Sequence, residues 1–385
     1  MLAIITSHPI QYQAPLWRAL AQAGVKFEVW FLTPHAVEAS YDPEFGRSFA
    51  WDLDLLEGYP HRFLAIKPDW RIDTFNGIRP VRSWREEFKA HGVTRLWVEG
   101  WRFRCLWQAV FAARSSGVEV WLRGENHALA PESAWRGLWK RPLLRLLFSQ
   151  VDFFLWIGGA NRDFYRLHGV AVSKLRSAPY CVDNARFTRA AETLRPRREE
   201  LRTGWGIAPD AFVVLFCGKL IAKKRPLDLL AAVTKTAACS PRPLHLLVVG
   251  DGELAENLKI GLAVPGAPAG TLAGFLNQMR IAEAFAAADC LVLPSDYGET
   301  WGLVVNEALA SGLPAIISDR CGCAGDLGPG QGVAHVFPCG NIEALSRALL
   351  QVINRPPAAE TLRSLIDTHA PARTVETVIH LLAAR

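Results

Sequence analysis

Long apolar runs are what this 385-residue sequence most clearly lacks. The stretches Leu143 to Leu147 and Phe285 to Leu293 are broken by charge or fall far short of the roughly 20 residues a membrane-spanning helix needs. No spanning helix is expected. The run Met1 to Thr6 has no basic region before it and no small-residue cleavage site behind it, so it reads as a buried strand and the expected location is the cytoplasm. A disulfide framework is missing too. The eight cysteines are irregularly spaced, and the one close pair, Cys321 and Cys323, lacks further ligands at zinc-site spacing. Short-period repeats and low-complexity tracts are also absent.

What the chain does contain is the balance of a soluble globular enzyme, with 50% apolar and 21% charged residues. Its length suits two domains. Residues 1–180 hold 23 Lys and Arg against 17 Asp and Glu, whereas the remainder is neutral at 20 against 20, so the net charge of +6 lies in the first half. Twelve of the 14 tryptophans lie there as well. Either the first half meets an anionic or amphipathic partner, or it has an aromatic-rich core.

Short β-rich runs recur between helical patterns, at Leu2 to Thr6, Lys26 to Leu32, Arg62 to Ile66, Arg95 to Val98, Val118 to Leu122 and Phe153 to Ile157. A second series runs through Phe212 to Cys217, Leu244 to Val249, Thr271 to Ala273, Cys290 to Leu293 and Pro314 to Ile317. Strands alternating with helices predict an α/β protein with two Rossmann-like, doubly wound parallel sheets. The expected domains are residues 1–185 and 186–367, with a C-terminal helix at 368–385 packing back on the first. Pro179 to Ile207 is expected to be the linker. Ligands of such sheets sit beyond the carboxyl ends of the strands, so the residues just after each strand carry the chemistry.

In the second half, Gly218-Lys219-Leu220-Ile221-Ala222-Lys223-Lys224-Arg225 follows a strand with four cations in seven residues, a fit to a diphosphate or else a solvated basic turn. Gly250-Asp251-Gly252 follows the next strand, where small residues let a ligand approach the backbone. It is not a dinucleotide fingerprint, because the third glycine is replaced by Ala255. The segment Ser295 to Pro314 predicts a turn and then a helix from about Trp301 or Gly302 to Gly312. Free N–H groups at Gly302 and Leu303, with the positive end of the helix dipole, suit a phosphate. Glu299 lies ahead of that terminus and Glu307 about a turn or two into the helix, so two carboxylates bracket it and can accept hydrogen bonds from neighbouring hydroxyls.

Glu299 and Glu307, set within Gly-Glu-Thr-Trp-Gly-Leu-Val-Val-Asn-Glu-Ala, resemble the signature of the retaining GT-B glycosyltransferases of the group-1, family-four type. Gly218-Lys219-Leu220 followed by Lys224 resembles that family's diphosphate clamp. Val249 to Leu254 resembles its glycine turn, and Pro179 to Phe187 its linker. His8-Pro9-Ile10-Gln11-Tyr12-Gln13 and Arg123-Gly124-Glu125 resemble post-strand loops of one bacterial branch. The resemblance implies a GT-B fold, its two domains facing across a cleft, with Glu299 on the transferred sugar, Glu307 on the ribose, and Lys219 and Lys224 on the diphosphate of a UDP- or GDP-sugar. It implies transfer of a hexose-type sugar with retention, without metal or other cofactor, to a saccharide or lipid-linked saccharide in surface polysaccharide or glycolipid synthesis. Two departures stand out. Lys219 replaces a common arginine, and His8-Pro9-Ile10 replaces a glycine pair after the first strand.

On the acceptor side the resemblance places a main-chain carbonyl of Arg123, Gly124 or Glu125 near the reacting carbon, with these three and Glu299 and Lys224 as the catalytic set. Gln11 and Tyr12 belong to the acceptor-side loops. His8 and His127 are general bases by residue type or structural histidines. Trp135 to Phe148 mixes tryptophan, leucine and base as a helix lying on an anionic membrane would, or as an ordinary amphipathic helix would, and Pro142 is expected to kink or divide it. Nucleic acid is not an expected partner. A nucleotide-dependent oxidoreductase is excluded by the incomplete glycine fingerprints, and a phosphorylase lacks an identifiable cofactor lysine. A sugar-nucleotide epimerase or a non-catalytic sugar-nucleotide binder remains as the rival reading.

Overall fold

The computed structural model describes residues 1–35, 37, 40–42, 47–130, 134–328 and 334–384. Two compact units emerge: residues 1–40, 54–180 and 371–385 form the first, and residues 41–53 and 181–370 the second. The segment 41–53, expected in the first domain, therefore clusters with the second. It is tied there by Asn277 Nδ2 donating to the Ala50 carbonyl at 2.8 Å and by the Met279 N–H donating to the Asp52 carboxylate at 3.1 Å. No periodicity announces so distant a pairing.

The first half of the chain supplies β1 (Leu2–Thr6), β2 (Phe27–Phe31), β3 (Ser40–Asp42), β4 (Arg47–Phe49), β5 (His61–Phe63), β6 (Arg95–Glu99), β7 (Glu119–Arg123), β8 (Phe153–Trp156) and β9 (Leu175–Ser177). β3 and β4 make a small two-stranded sheet. The other seven form a parallel sheet in the order β5-β2-β1-β6-β7-β8-β9. Strands buried on both faces read as near-continuous apolar runs, as in the fully buried β1 sequence Leu-Ala-Ile-Ile-Thr. Most of the tryptophans are explained by this core. Trp17, Trp30, Trp97 and Trp121 are completely buried, with ring centroids 5.3 Å apart for Trp17 and Trp97 and 6.5 Å for Trp97 and Trp121. The C-terminal helix Pro371–Ala383 belongs to this unit, where Thr377 Oγ1 donates to the Ser177 carbonyl at 2.6 Å.

The second unit has β10 (Phe212–Cys217), β11 (Leu244–Val249), β12 (Ala269–Gly274), β13 (Cys290–Leu293), β14 (Ala315–Ser318) and β15 (Ala334–Phe337), in the order β12-β11-β10-β13-β14-β15. All its pairings are parallel. Both sheets thus run out in one direction from their first strand, return, and run out in the other. This doubly wound order leaves a crevice at the switch point, between β1 and β6 in one unit and β10 and β13 in the other.

Two local expectations are corrected. The helix Ala134–Ser149 is not divided at Pro142 but continues through it. The stretch read as a linker is largely helical, with Asn184–Leu194 capped by Asp183, whose carboxylate accepts from the Arg186 N–H at 2.9 Å, and a further helix at Arg198–Gly204. Arg202 explains the second helix's place, because its buried guanidinium bonds Asp289 at 2.7 Å and the Ala287 carbonyl at 2.9 Å.

Candidate active site

At the switch point of the second unit, the turn after β10 meets the turn after β13. Lys224 Nζ, at the end of the 3-10 turn Ala222–Lys224, pairs directly with Glu299. Ser295 Oγ donates to the same Glu299 Oε2 at 3.2 Å. A Lys ammonium has three protons to donate, so this pairing leaves two for another acceptor. Arg225 follows in the left-handed region at φ 50°, the only non-glycine residue with positive φ among the described residues. Its guanidinium is held by Asp228 at 2.6 Å. Strain of this kind persists where the surroundings over-determine it, and it clusters at functional sites.

The helix Leu303–Ala310 begins beside this pair, with Gly302 as its N-cap at φ 107°. Neither Gly302 nor Leu303 donates a backbone hydrogen bond among the described residues, so both N–H groups and the positive helix end stay available for an anion. Behind the turn, the loop after β14 clasps it: Gly322 N–H donates to the Glu299 carbonyl and Cys323 N–H to the Trp301 carbonyl, each at 3.1 Å. Glu307 is half-buried on the helix. Burial raises its carboxyl to about 7, with Arg186 pulling the other way. Arg186 is fixed in turn by Gln278, donating to its carbonyl at 2.9 Å and its side-chain oxygen at 2.7 Å. Ser295 and Arg186 lie within the segments Ser295 to Pro314 and Pro179 to Phe187, but neither was singled out as a site residue.

Gly250 and Gly252 have a reason other than ligand approach. A Cβ on Gly250 would lie 1.9 Å from the Gly218 carbonyl oxygen, and one on Gly252 would lie 2.7 Å from the Leu220 carbonyl oxygen. The two post-strand turns are knitted together there, Leu220 N–H donating to the Asp251 carbonyl at 2.8 Å and Leu254 N–H to the Leu220 carbonyl at 2.9 Å. The glycines therefore set the height of the Gly218 to Lys224 turn. Lys219 is half-buried within it.

In the first unit, Arg123 is the last residue of β7. It is buried, 3.6 Å from Glu99 Oε1, with its guanidinium carbon 5.1 Å from the Tyr180 ring centroid. Burial pushes Glu99 up to about 7, Arg123 opposing and Glu125 adding to the rise. Gly124 is locked between neighbours: its N–H donates to Tyr165 Oη at 2.8 Å, its carbonyl accepts from Asn161 Nδ2 at 3.0 Å, and a Cβ there would lie 2.0 Å from Trp101 Cζ3. Glu125 is half-buried, and its Oε1 accepts from Tyr12 Oη at 3.1 Å and from Tyr180 Oη. Burial beside Glu125 holds both phenols well above their ordinary range. Tyr12 and Glu125 are thus brought together, with Tyr180, Glu99 and Gln13 as partners that the sequence did not single out.

Gln11 is half-buried in the turn before the helix Ala14–Gln22. His127 Nδ1 accepts from the Leu129 N–H at 3.1 Å, a local turn bond. His8 lies just after β1, its Nδ1 2.8 Å from Ser7 Oγ and its ring 5.1 Å from that of His35. The side chains of residues 135–139 lie outside the described residues; beyond them Lys140, Arg141, Leu143, Arg145 and Leu146 are exposed, while Leu144, Leu147 and Phe148 are buried. No described helix is long and apolar enough to cross a membrane, and the described residues contain no group of three or more His, Cys, Asp or Glu placed to hold a metal. All eight cysteines are free.

Residues 197–367 match the model of the family described as glycosyl transferases group 1. A D-inositol 3-phosphate glycosyltransferase of Rhodococcus erythropolis is 34% identical over 139 residues, 32% of this chain and 29% of that protein, so the match spans less than a third of the relative's length. Across whole chains the fold is similar to that of a glycosyltransferase from Rickettsia africae, with a TM-score of 0.72 at 12% identity, covering 99% of this chain and 97% of the other. It is similar as well to HepE of Anabaena, solved in complex with UDP, with a TM-score of 0.71 at 13% identity over 100% of both chains. The chain therefore has the GT-B fold, and within its second unit residues 197–367 match the group 1 glycosyl transferases.

Proposed function

We propose that the protein transfers a hexose-type sugar from a nucleotide diphosphate sugar, UDP or GDP, to a saccharide or lipid-linked saccharide, with retention of configuration and without a metal. One observation carries this reading: Lys224, Glu299 and the free N–H groups of Gly302 and Leu303 converge at the switch point of the second unit. The ammonium and the helix end stabilise negative charge growing on the leaving diphosphate, an effect larger in the transition state than in the ground state. Glu299 accepts from sugar hydroxyls, Glu307 from the ribose, and Lys219 adds charge to the diphosphate turn. In the first unit the Tyr12, Glu125 and Tyr180 group holds acceptor hydroxyls. The departing phosphate takes the acceptor proton on the face it leaves. HepE's solution with UDP supports UDP as the first nucleotide to try.

The test begins with thermal stabilisation by UDP, GDP, ADP and their sugars, because a ligand that binds only the folded state raises the midpoint by mass action. Acceptor-dependent consumption of the stabilising sugar nucleotide, unaffected by excess EDTA, is expected. Consumption without any acceptor makes the protein an epimerase or hydrolase, binding without consumption makes it a sensor, and loss in EDTA restored by magnesium refutes the metal-free chemistry. The lipid-linked acceptor predicts peripheral contact of the Ala134–Ser149 helix with anionic membrane, each basic residue adding about 1 kcal/mol. Salt-sensitive co-sedimentation with anionic vesicles is then expected, and it is lost when Arg136, Lys140, Arg141 and Arg145 are all changed to glutamate. Wild-type protein left in the supernatant at low salt directs the search to soluble acceptors.

A further inference from the structure

The crevice at the first unit's own switch point, between β1 and β6, has no role in the reading above, and its chemistry differs from that of the second unit's crevice. His8 stands immediately beyond β1, His35 beyond β2, and Arg102 beyond β6. The loops after three adjacent strands thus each bring one nitrogen-bearing residue to the carboxyl edge of the sheet, the place where doubly wound sheets hold their ligands, and the charge of Arg102 is felt at His8. The two imidazoles meet edge to face at 5.1 Å. Ser7 Oγ at 2.8 Å occupies His8 Nδ1, and Nε2 makes no hydrogen bond among the described residues. Arg102 is exposed and makes no ion pair among the described residues, resting only with its guanidinium carbon 5.8 Å from the Phe103 ring centroid.

The neighbouring carboxylates are engaged elsewhere. Glu99 faces Arg123 and Gln13, and Glu125 is held by two tyrosines. Asp73, which feels Arg102, is ion-paired to Arg71 at 2.8 Å. The crevice therefore holds a local excess of positive and proton-donating groups. Burial, with His35 and Arg102 adding repulsion, holds His8 at about 4. A phosphate seated against it reverses that repulsion, since an anion favours the protonated ring.

We infer that His8, His35 and Arg102 form an anion site for a phosphate group carried by the acceptor, so that the acceptor is a phosphorylated sugar or polyol, or a lipid with a phosphate headgroup. This rests on the reading of the first unit as the acceptor side. Chemically it asks for what these residues supply: charge-assisted N–H donors from a guanidinium fork and an imidazole.

The test follows the ring Cε1–H resonance of His8, identified with the His8→Gln variant, in the full chain at pH 6.5. Inorganic phosphate is expected to move this resonance, and Arg102→Ala, an exposed position that leaves the fold intact, is expected to weaken the phosphate affinity at least about tenfold, the loss of a charge-assisted hydrogen bond. Arg102→Lys restores part of it. Displacement of phosphate by glucose 6-phosphate identifies a soluble acceptor, and displacement by phosphatidic acid vesicles alone identifies a lipid headgroup; either supports the site. The inference is overturned if phosphate leaves the His8 resonance unmoved, if Arg102→Ala changes nothing, or if UDP or GDP alone fills the same site. Nucleotide stabilisation measured on the same Arg102→Ala sample tracks the second unit, so failure of this inference and failure of the donor assignment are separately visible.

Discussion

Lys224 pairs with Glu299 across the junction of β10 and β13, two residues 75 positions apart brought together by the doubly wound strand order. Each is the other's counter-ion, and each has capacity left over: two ammonium protons on one side, and carboxylate lone pairs on the other. In the proposed reaction a diphosphate engages the ammonium and a sugar hydroxyl the carboxylate.

Removal of that ammonium by Lys224→Ala is expected to cost about 2 to 4 kcal/mol of transition-state stabilisation. The measure is kcat/KM for the donor identified by the stabilisation screen. Near-wild-type turnover removes Lys224 from the reaction. A double-mutant cycle with Glu299→Gln is expected to be non-additive, because the two side chains touch.

The two carboxylates separate by ligand. Glu299→Gln is expected to impair transfer while sparing affinity for the bare nucleoside diphosphate, and Glu307→Gln to weaken that affinity itself. Calorimetry with UDP or GDP distinguishes them. Equal losses in both variants refute the sugar and ribose assignments.

Glu307 also makes a prediction about pH. Its carboxyl lies at about 7 in the folded protein against an ordinary 4.5, so between those values the folded state holds a proton that the unfolded state has released. Stability from this group is full below about 4.5 and is lost as pH rises through about 7. Glu307→Gln, which cannot ionise, is therefore expected to melt higher than wild type at pH 8 and to show little difference at pH 4.5. Hydroxyls donating to the ionised form make nucleotide affinity rise as pH rises through about 7. A variant that melts lower than wild type at pH 8 contradicts the burial argument.

Gly250 tests the architecture of the turn rather than its chemistry. Its φ of 135° and a Cβ contact of 1.9 Å with the Gly218 carbonyl oxygen leave no room for a side chain. Gly24 has φ 73° and open space around it. Gly24→Ala is expected to cost about 1 to 2 kcal/mol, the penalty of the left-handed conformation alone, and Gly250→Ala distinctly more, with loss of nucleotide binding. Chemical denaturation of the two variants gives the comparison, and equal costs contradict the close packing of the turns.

Much of the scaffold was legible from local physics. Leu2–Thr6, Phe212–Cys217, Leu244–Val249 and Cys290–Leu293 are apolar runs of strand length bounded by breakers, and they are strands within those limits. Glycine at 302 and 312 framed the helix Leu303–Ala310 because helix ends need backbone conformations that glycine adopts at little cost. Where local pattern pointed the other way, tertiary contacts decided: the charged stretch after Asp183 folds as helices, the second of them tied by Arg202 to Asp289.

By itself, the sequence determined the alternation of strand and helix, the two sheets, and the post-strand positions of Lys224, Glu299, Glu125 and His8, all of which follow from short-range periodicity and breakers. Only the tertiary structure decided which residues meet. It buried Arg123 against Glu99, made Glu125 the acceptor of two phenols, gave Gly250 a packing role, and set the rings of His8 and His35 edge to face. The physical reason is that strand order in a doubly wound sheet is set by long-range packing of buried faces. Neighbours at the carboxyl edge are therefore strangers in sequence, and their charges, distances and burial exist only once the sheet has closed.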